Sequence, residues 1–395
     1  MPPYRYVILF AVCSLAFIGN FIQYQVSSLA LDVMPMLGID SVGFSTLFLI
    51  PMLAAVFFGI PLGLAGDKFG PKRVIATCFA IACAGGLLRI FTLTSFQLQL
   101  ASLFCVGIGM TALTTNVVKT LALWFGQKTD TAVGVYYSVS CLGIIASQAA
   151  GGFYSSVFEA YVIAEVALAL ITLLWIVVGR NLPKGVAVPA DKAALDTFLV
   201  PAKNRNVWLI ALSVGFTLSA TTAFAGLLPQ ALEAGKGIDG LLAGDMAAAV
   251  TAAGVFGCVA GPALCARLGH MKTCLVAVNC VAGIVMLATW HVPVGAPLWL
   301  VLAAGGFLSA MTGPVLQSLP VMLAGIGSRF AGSASGIIST VSLAMSFVLP
   351  IAISAVAGES YAMNLALESI CFTASILPIL FLPELGKRAD RRKAH

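Results

Sequence analysis

The sequence predicts an all-α integral membrane protein with twelve transmembrane helices. Of its 395 residues, 60% are apolar and only 9% are Asp, Glu, Lys or Arg, whereas an ordinary soluble domain carries about 25% charged residues. A spanning helix needs about 20 apolar residues, so twelve spans account for almost all of the apolar content. This composition excludes a soluble globular protein, a disordered chain and a coiled coil. It also disfavours a membrane β-barrel, whose strands alternate polar and apolar residues.

Polar and Gly/Pro breaks divide the chain into twelve apolar stretches. The first begins close to Met1 and is too long for the core of a signal peptide, so we expect it to be a retained span. The predicted spans lie at residues 6–29, 42–65, 74–94, 97–120, 131–155, 160–179, 207–229, 243–264, 273–291, 298–322, 332–356 and 362–382.

The basic residues predict the orientation of the chain. If the N-terminus lies in the cytoplasm, all but three of the 21 Lys and Arg residues face the cytoplasm, as the positive-inside rule requires. The exceptions are Lys236 in an outer loop, and Arg89 and Lys119 within spans. We therefore expect a multi-pass protein of the cell (inner) membrane with both termini in the cytoplasm.

The two halves of the chain are related. Gly59-x-x-x-Gly63 and Gly257-x-x-x-Gly261 stand about half a chain apart, each close to a loop glycine. Small residues at this spacing let helix backbones approach closely in lipid, and repetition over half a chain is typical of transporters with two similar halves. The predicted domains are an N-terminal six-helix bundle at 1–180, a cytoplasmic linker at 181–206, a C-terminal six-helix bundle at 207–382 and a basic cytoplasmic tail at 383–395.

The loop between spans two and three reads GLAGDKFGPKR from Gly63 to Arg73. It resembles the signature loop of the major facilitator superfamily, and an echo of it lies between spans eight and nine. The resemblance implies the fold of that superfamily, two pseudo-symmetric six-helix bundles, and secondary transport by rocker-switch alternating access. An ordinary charged interfacial loop is the alternative. The implied conformational gate consists of Gly63, Asp67, Lys68, Gly70, Arg73 and Arg267.

Spans four and five resemble those of organic-anion carriers of the oxalate/formate and monocarboxylate kind. The resemblance rests on Gly107-x-Gly109, Asn116, Trp124-Phe125, Ala132, Gly134 and Gly143. It implies that the solute is a small organic anion such as a mono- or dicarboxylate. Ser147-Gln148 replaces the Gly-Pro of an antiporter motif on span five, which argues against a proton-antiporting drug exporter.

Polar residues on the spans that the resemblance places at or beside the cavity are the candidates for solute binding. Asn20, Gln23 and Tyr24 share one face of span one, where a polar stripe must meet protein or water; hydrogen bonding between helices is the alternative. Lys119 could attract a carboxylate or exchange a proton, or its side chain could snorkel to the headgroups. The predicted substrate-binding residues are Asn20, Gln23, Tyr24, Asn116, Lys119, Tyr137, Gln148, Thr221 and Gln317.

The expected partners are the lipid bilayer and a small-molecule solute, with a co-transported proton as a further option, and the chain is expected to be a monomer. Basic residues form no single surface stripe, so no nucleic acid is predicted. No cofactor or metal is predicted, because the histidines are scattered and the cysteines form no Cys-x-x-Cys pair. No phosphate-binding loop or hydrolase motif indicates a pump or an enzyme.

Two alternatives stay open at this stage. Because most cavity candidates are uncharged, a neutral, zwitterionic or amphiphilic (drug-like) solute competes with the organic anion. Glu165 and Glu368 stand at equivalent places on spans six and twelve. We expect them to reach the interface or to pair with Arg89, and a proton site is the alternative.

Overall fold

The computed structural model describes residues 2–126, 129–180, 195–323 and 326–384. Within these ranges the regular structure is helical and contains no strand. Twelve helices or helix pairs are long and apolar enough to cross a membrane. The predicted fold class is therefore confirmed.

By contacts the chain divides into two compact units, the first made of residues 1–190 with 239–248 and the second of residues 191–238 with 249–395. The first unit contains α1 (Pro2–Ser28), α2 (Ala30–Leu37), α3 (Ser41–Phe69), α4 (Pro71–Phe91), α5 (Phe96–Phe125), α6 (Thr129–Ala150) and α7 (Val157–Val178).

The helices that follow are α8 (Leu195–Ala202), α9 (Arg205–Gln230), α10 (Gly240–Leu268), α11 (Met271–Ala288), α12 (Ala296–Ala310), α13 (Thr312–Met322), α14 (Gly327–Ala357), α15 (Tyr361–Ala374) and α16 (Ile376–Phe381). All belong to the second unit except the first residues of α10, up to Ala248, which group with the first unit. The predicted domain limits stay a prediction, because linker residues 181–194 and tail residues 385–395 lie outside the described part of the chain.

The spans match the predicted stretches closely, with two extensions. The fourth span continues to Phe125 and the seventh to Gly235. The fourth was expected to end beside Lys119, but apolar residues carry its helix one turn further. The seventh continues because a π-helical turn, Ala231–Gly235, follows α9 directly after Pro229.

Local signals explain where several helices begin and turn. Asp40 accepts a hydrogen bond from the Gly43 main-chain N–H at 2.8 Å and so caps α3, and Ser156 caps α7 in the same way. Gly70, between α3 and α4, has φ +86°, and Gly269, between α10 and α11, has φ +71°. Residues with side chains rarely adopt this conformation, which accounts for a glycine at both equivalent loops.

The same pairs of helices contact each other in both units. In the first unit α1 packs against α6 and α7, and α4 packs against α5 and α7. In the second unit α9 packs against α14 and α15, and α11 packs against α12 and α15. These are equivalent pairs in the two halves, so the repeat seen in the sequence extends to the packing.

Apolar side chains fill the interior of each unit and also cover its surface. In the second unit, Val207, Ile210 and Leu316 belong to one buried apolar cluster. Val177 and Phe256 are mostly exposed, as is common among large apolar residues of the described spans. A water-facing surface rarely carries so much exposed apolar area, so these faces fit contact with lipid.

Candidate transport site and gate

The polar face of span one is turned partly into the protein. Gln23 donates a hydrogen bond from Nε2 to the main-chain oxygen of Phe48 on α3 at 3.3 Å. The ring of Tyr24 meets the Phe48 ring edge-on, with centroids 5.2 Å apart. Both side chains are buried, whereas Asn20 is half-buried and donates to Ala16 of its own helix at 2.9 Å. Gln23 and Tyr24 therefore join α1 to α3, and Asn20 keeps an open side.

Asn116 lies against the signature loop instead of standing open. Its Nδ2 donates to the main-chain oxygen of Leu62 at 3.2 Å and to that of Ala112 at 2.9 Å. A Cβ built on Gly66 would overlap Asn116 Oδ1. A larger residue there would have to displace the Asn116 side chain from its hydrogen bonds, so this contact positions the end of α3 against α5.

Lys119 lies one turn beyond Asn116 on α5 and is half-buried. It lies more than one helical turn from either end of its span, Phe96–Phe125. The other Lys and Arg residues of the twelve described spans lie within about one turn, roughly 3.6 residues, of a span end. Lys119 is thus the cation placed deepest along the described spans.

The candidates on span five have different surroundings. Tyr137 is 57% exposed, and its ring packs edge-on against the buried Tyr136 with centroids 5.3 Å apart. Gln148 is completely buried, and its main-chain oxygen faces Gly244 of α10 so closely that a Cβ there would overlap it. Gln148 therefore lies in a helix contact, whereas Tyr137 is accessible.

The two candidates of the second unit are at least partly accessible. Thr221 is half-buried and donates from Oγ1 to the main-chain oxygen of Thr217 at 2.8 Å. Gln317 on α13 is exposed. Of the nine candidates, the structure thus places Gln23, Tyr24, Asn116 and Gln148 in helix packing and leaves Asn20, Lys119, Tyr137, Thr221 and Gln317 with accessible surface.

All the predicted gate residues except Arg267 lie at or near the turn between α3 and α4. Lys68 and Arg73 are exposed, and the Lys68 ammonium lies 5.2 Å from the ring centre of Phe69. The Asp67 side chain lies outside the described part of the structure. At the start of α4, the Lys72 main-chain oxygen accepts a hydrogen bond from Trp175 Nε1 of α7 at 3.3 Å. The loop is thus attached to the rest of its unit on both sides.

The two glycine pairs of the repeat pack differently. Cβ atoms built on Gly257 and Gly261 would overlap the main-chain oxygens of Phe307 and Met311, so these glycines bring α10 against span ten. Cβ atoms on Gly59 and Gly63 would meet no described atom within 4 Å. The expectation of close packing is met in the second half and not in the first, because α3 presents Gly66 to α5. Arg267, at the end of α10, is exposed.

A buried polar cluster lies where α1, α4 and α7 meet, and its contacts to Gln25 and Tyr161 were not predicted from the sequence. Gln25 donates from Nε2 to the main-chain oxygen of Ala160 at 2.9 Å and accepts from Arg89 Nη1 at 3.5 Å. The Arg89 guanidinium lies 3.5 Å from the ring centre of Tyr161, a cation–π contact. The Arg89 charge also acts on Glu165. The predicted pairing of Arg89 with the repeat carboxylates therefore involves Glu165, without an ion pair inside 4 Å among the described residues.

Among the described residues, no three His, Cys, Asp or Glu side chains come together in an arrangement that could hold a metal ion. The geometry therefore consists of helix contacts, a glycine-rich turn and a few accessible polar groups. Twelve spans in two similarly packed units define a multi-pass helical membrane protein, and a repeat of this kind is typical of transporters.

Comparison with known proteins gives the family. The model of the Major Facilitator Superfamily matches residues 10–391. A bacterial homologue of the human lysosomal transporter Spinster, solved in an inward-facing, unoccupied conformation, is similar in fold with a TM-score of 0.74 and 14% sequence identity, over 96% of this chain and 95% of that one. A bacterial Spinster homologue solved in an inward-facing, occupied conformation has a TM-score of 0.73 and 15% sequence identity, over 96% of this chain and 95% of that one. No curated protein matches the chain significantly by sequence.

The chain belongs to the major facilitator superfamily. It is a multi-pass membrane protein and a secondary transporter, which implies a small-molecule solute and a lipid environment.

Proposed function

We propose that this transporter moves a small organic anion, such as a mono- or dicarboxylate, across the cell (inner) membrane by rocker-switch alternating access. Lys119 carries the proposal. A cation deep in a span is costly unless it serves a solute, a proton or a partner. Its half-buried side chain combines an ammonium group with accessible surface, and an ammonium group is a natural binding partner for a carboxylate.

Other accessible polar groups complete the proposed site. Asn20 and Tyr137 are on α1 and α6, helices that pack against each other in the first unit. In the second unit, Thr221 on α9 and Gln317 on α13 stay proposed solute-binding residues. Polar groups of this kind fix the orientation of a solute by hydrogen bonds, whereas the Lys119 ammonium favours a solute with negative charge.

The proposed gate is the turn between α3 and α4. Asn116 fixes Gly66 of that turn, and Lys119 follows on the same helix one turn later. A movement of α5 on solute binding would therefore reach the turn directly. This supports a two-state mechanism in which the solute biases the position of the signature loop.

Counterflow uptake tests the proposal. Lipid vesicles that contain the purified chain and are preloaded with unlabelled formate, oxalate or lactate are expected to accumulate the labelled form of at least one of them. Vesicles without the protein are the control.

A neutral, zwitterionic or amphiphilic solute is the second candidate, favoured by the uncharged Asn20, Tyr137 and Gln317. Uptake of amino acids or sugars without uptake of any carboxylate would contradict the anion proposal and support the second candidate.

A further inference from the structure

A completely buried carboxyl group lies in the second unit. Glu368, on α15, has an exposed fraction of 0%, and neither of its side-chain oxygens has a hydrogen-bond partner among the described residues. Its helix packs against α9, α11 and α14. The carboxyl group is thus enclosed by protein and does not lie on the lipid-facing side.

The described charged residues on the elements packed against α15 lie at helix ends: Arg205 begins α9, Lys272 is the second residue of α11, and Glu233 lies in the π-helical turn Ala231–Gly235, which also contacts α15. Cys371 is the titratable neighbour of Glu368 on α15 itself, and its thiol makes a long contact with the main-chain oxygen of Phe216 on α9. Ser219, also on α9, adds a buried hydroxyl group. On α11, Gly283 faces α15. On α14, Ser354 bonds the α15 amide of Asn364. No described charged side chain acts on Glu368.

This setting favours the protonated acid. An ionised carboxylate without water, cation or hydrogen-bond donors loses its hydration with nothing to replace it, whereas the neutral acid loses far less. In the conformation described here, Glu368 therefore fits a carboxylic acid that carries its proton.

The equivalent carboxyl group in the first half of the repeat has different surroundings. In the first unit, Glu165 on α7 is the counterpart of Glu368. Gly86 on α4 faces Glu165, and Arg89, three residues later on α4, places a cation near it. On α11 the counterpart of Gly86 is Gly283, but three residues later stands Met286. Among the described residues, Glu165 has a cation that acts on it and Glu368 does not, so a shared structural role does not account for both.

We propose that Glu368 is a proton-binding site of the transport cycle. The carboxylate takes a proton from water on one side of the membrane before α9 and α15 enclose it, holds that proton while it is enclosed, and releases it to water on the other side, so each cycle moves one proton. Ionisable residues inside spans commonly mark proton pathways. The coupling of this proton to a carboxylate solute rests on the proposed function, whereas the protonation of Glu368 does not.

Infrared spectroscopy of the full chain in lipid vesicles tests the protonation directly. At neutral pH, the spectrum of the unmodified chain minus that of Glu368→Gln is expected to contain the C=O stretching band of a protonated carboxylic acid. Glu359→Gln, which changes an exposed carboxylate in the loop before α15, is the matched control and is expected to leave that band unchanged. A carboxylate band in the Glu368→Gln difference spectrum would overturn the proposal.

Glu368→Asp is the second variant in case Glu368→Gln does not fold. It keeps the acid but shortens the side chain by one methylene, so the acid band is expected to persist at a shifted frequency. An unshifted band would mean that another group gives rise to it.

Transport measurements test the coupling. With formate and oxalate as probes, Glu368→Gln is expected to retain counterflow exchange and to lose accumulation driven by a pH gradient, and Glu359→Gln is expected to retain both. Accumulation by Glu368→Gln equal to that of the unmodified chain would overturn the coupling role. If the unmodified chain carries neither these probes nor lactate, the proposed function fails, and the infrared result still decides whether Glu368 binds a proton.

Discussion

At the residue scale, polar side chains within the spans of this transporter serve two different purposes. Asn116 and Gln23 use their amides to reach main-chain oxygens on α3, so they hold helices together. Such hydrogen bonds are worth roughly 0.6–2 kcal/mol each between membrane helices. Lys119 and Asn20 keep accessible surface and are the residues that we propose bind the solute. The same residue types on neighbouring turns thus divide between packing and binding.

The contact between Asn116 and Gly66 gives a sharp prediction. Gly66→Ala is expected to lower stability by about 1–3 kcal/mol, the usual cost of overpacking, because the new methyl group overlaps Asn116 Oδ1. Gly63→Ala, with open space around its Cβ, is the matched control and is expected to unfold at the same temperature as the unmodified chain. Thermal unfolding in detergent measures both.

A double variant shows whether the overlap is the cause. Adding Asn116→Ala to Gly66→Ala is expected to cost less than the two single changes together, since the clash is removed. Additive losses would contradict this explanation.

Arg89 and Glu165 give a second prediction at this scale. Arg89 and Glu165 are buried neighbours without an ion pair inside 4 Å among the described residues, so the loss is expected to stay below the roughly 3–5 kcal/mol that breaking a close buried pair costs. Glu165→Gln and Arg89→Met are each expected to lower the unfolding temperature, and the double change less than their sum. Glu368→Gln, where no cation is left behind, is the control and is expected to have little effect. Equal losses for Glu165→Gln and Glu368→Gln would show that the cation does not distinguish the two sites.

At the element scale, the repeated glycine pairs show that similar sequence can pack differently. Gly257 and Gly261 bring α10 against the main chain of span ten, whereas the first-half glycines leave open space and Gly66 makes the equivalent contact with span four. The loops between α3 and α4 and between α10 and α11 nevertheless share a glycine with positive φ. The conformation of the turns is therefore conserved between the two halves, whereas the helix contacts next to the turns differ.

This difference predicts unequal tolerance of alanine. Gly261→Ala is expected to reduce the amount of folded protein, because the methyl group would overlap the main-chain oxygen of Met311, which cannot move away as a side chain can. Gly59→Ala is expected to fold normally. Size-exclusion profiles of both variants in detergent measure this, and normal folding of Gly261→Ala would contradict the packing described here.

At the scale of the whole molecule, the sequence was sufficient to predict the twelve spans, because span length and apolar content are set by the bilayer. It could not predict that Asn116 packs on Gly66 or that Gln25 reaches Ala160, since each contact depends on a helix distant in sequence. The polar stripe of span one was visible, but the direction it faces was not. Arg89 was visible as a charge within a span, yet its contact with the Tyr161 ring needed the tertiary structure.

The orientation of the chain remains a prediction at this scale. A fluorescent protein fused to the C-terminus is expected to fluoresce, because the positive-inside rule places that end in the cytoplasm. Alkaline phosphatase inserted after Pro293, in the loop between spans nine and ten, is expected to be active. The reverse pattern would invert the proposed topology.

The central claim, that a cation on span four selects an organic anion, is tested most directly by counterflow uptake in Lys119→Ala. With formate and oxalate as probes, we expect Lys119→Ala to lose uptake and Lys119→Arg to retain part of it, since the charge persists. Lys203→Ala, which removes an exposed lysine outside the spans, is the matched control and is expected to transport normally. Anion uptake by folded Lys119→Ala at the rate of the unmodified chain would contradict the claim.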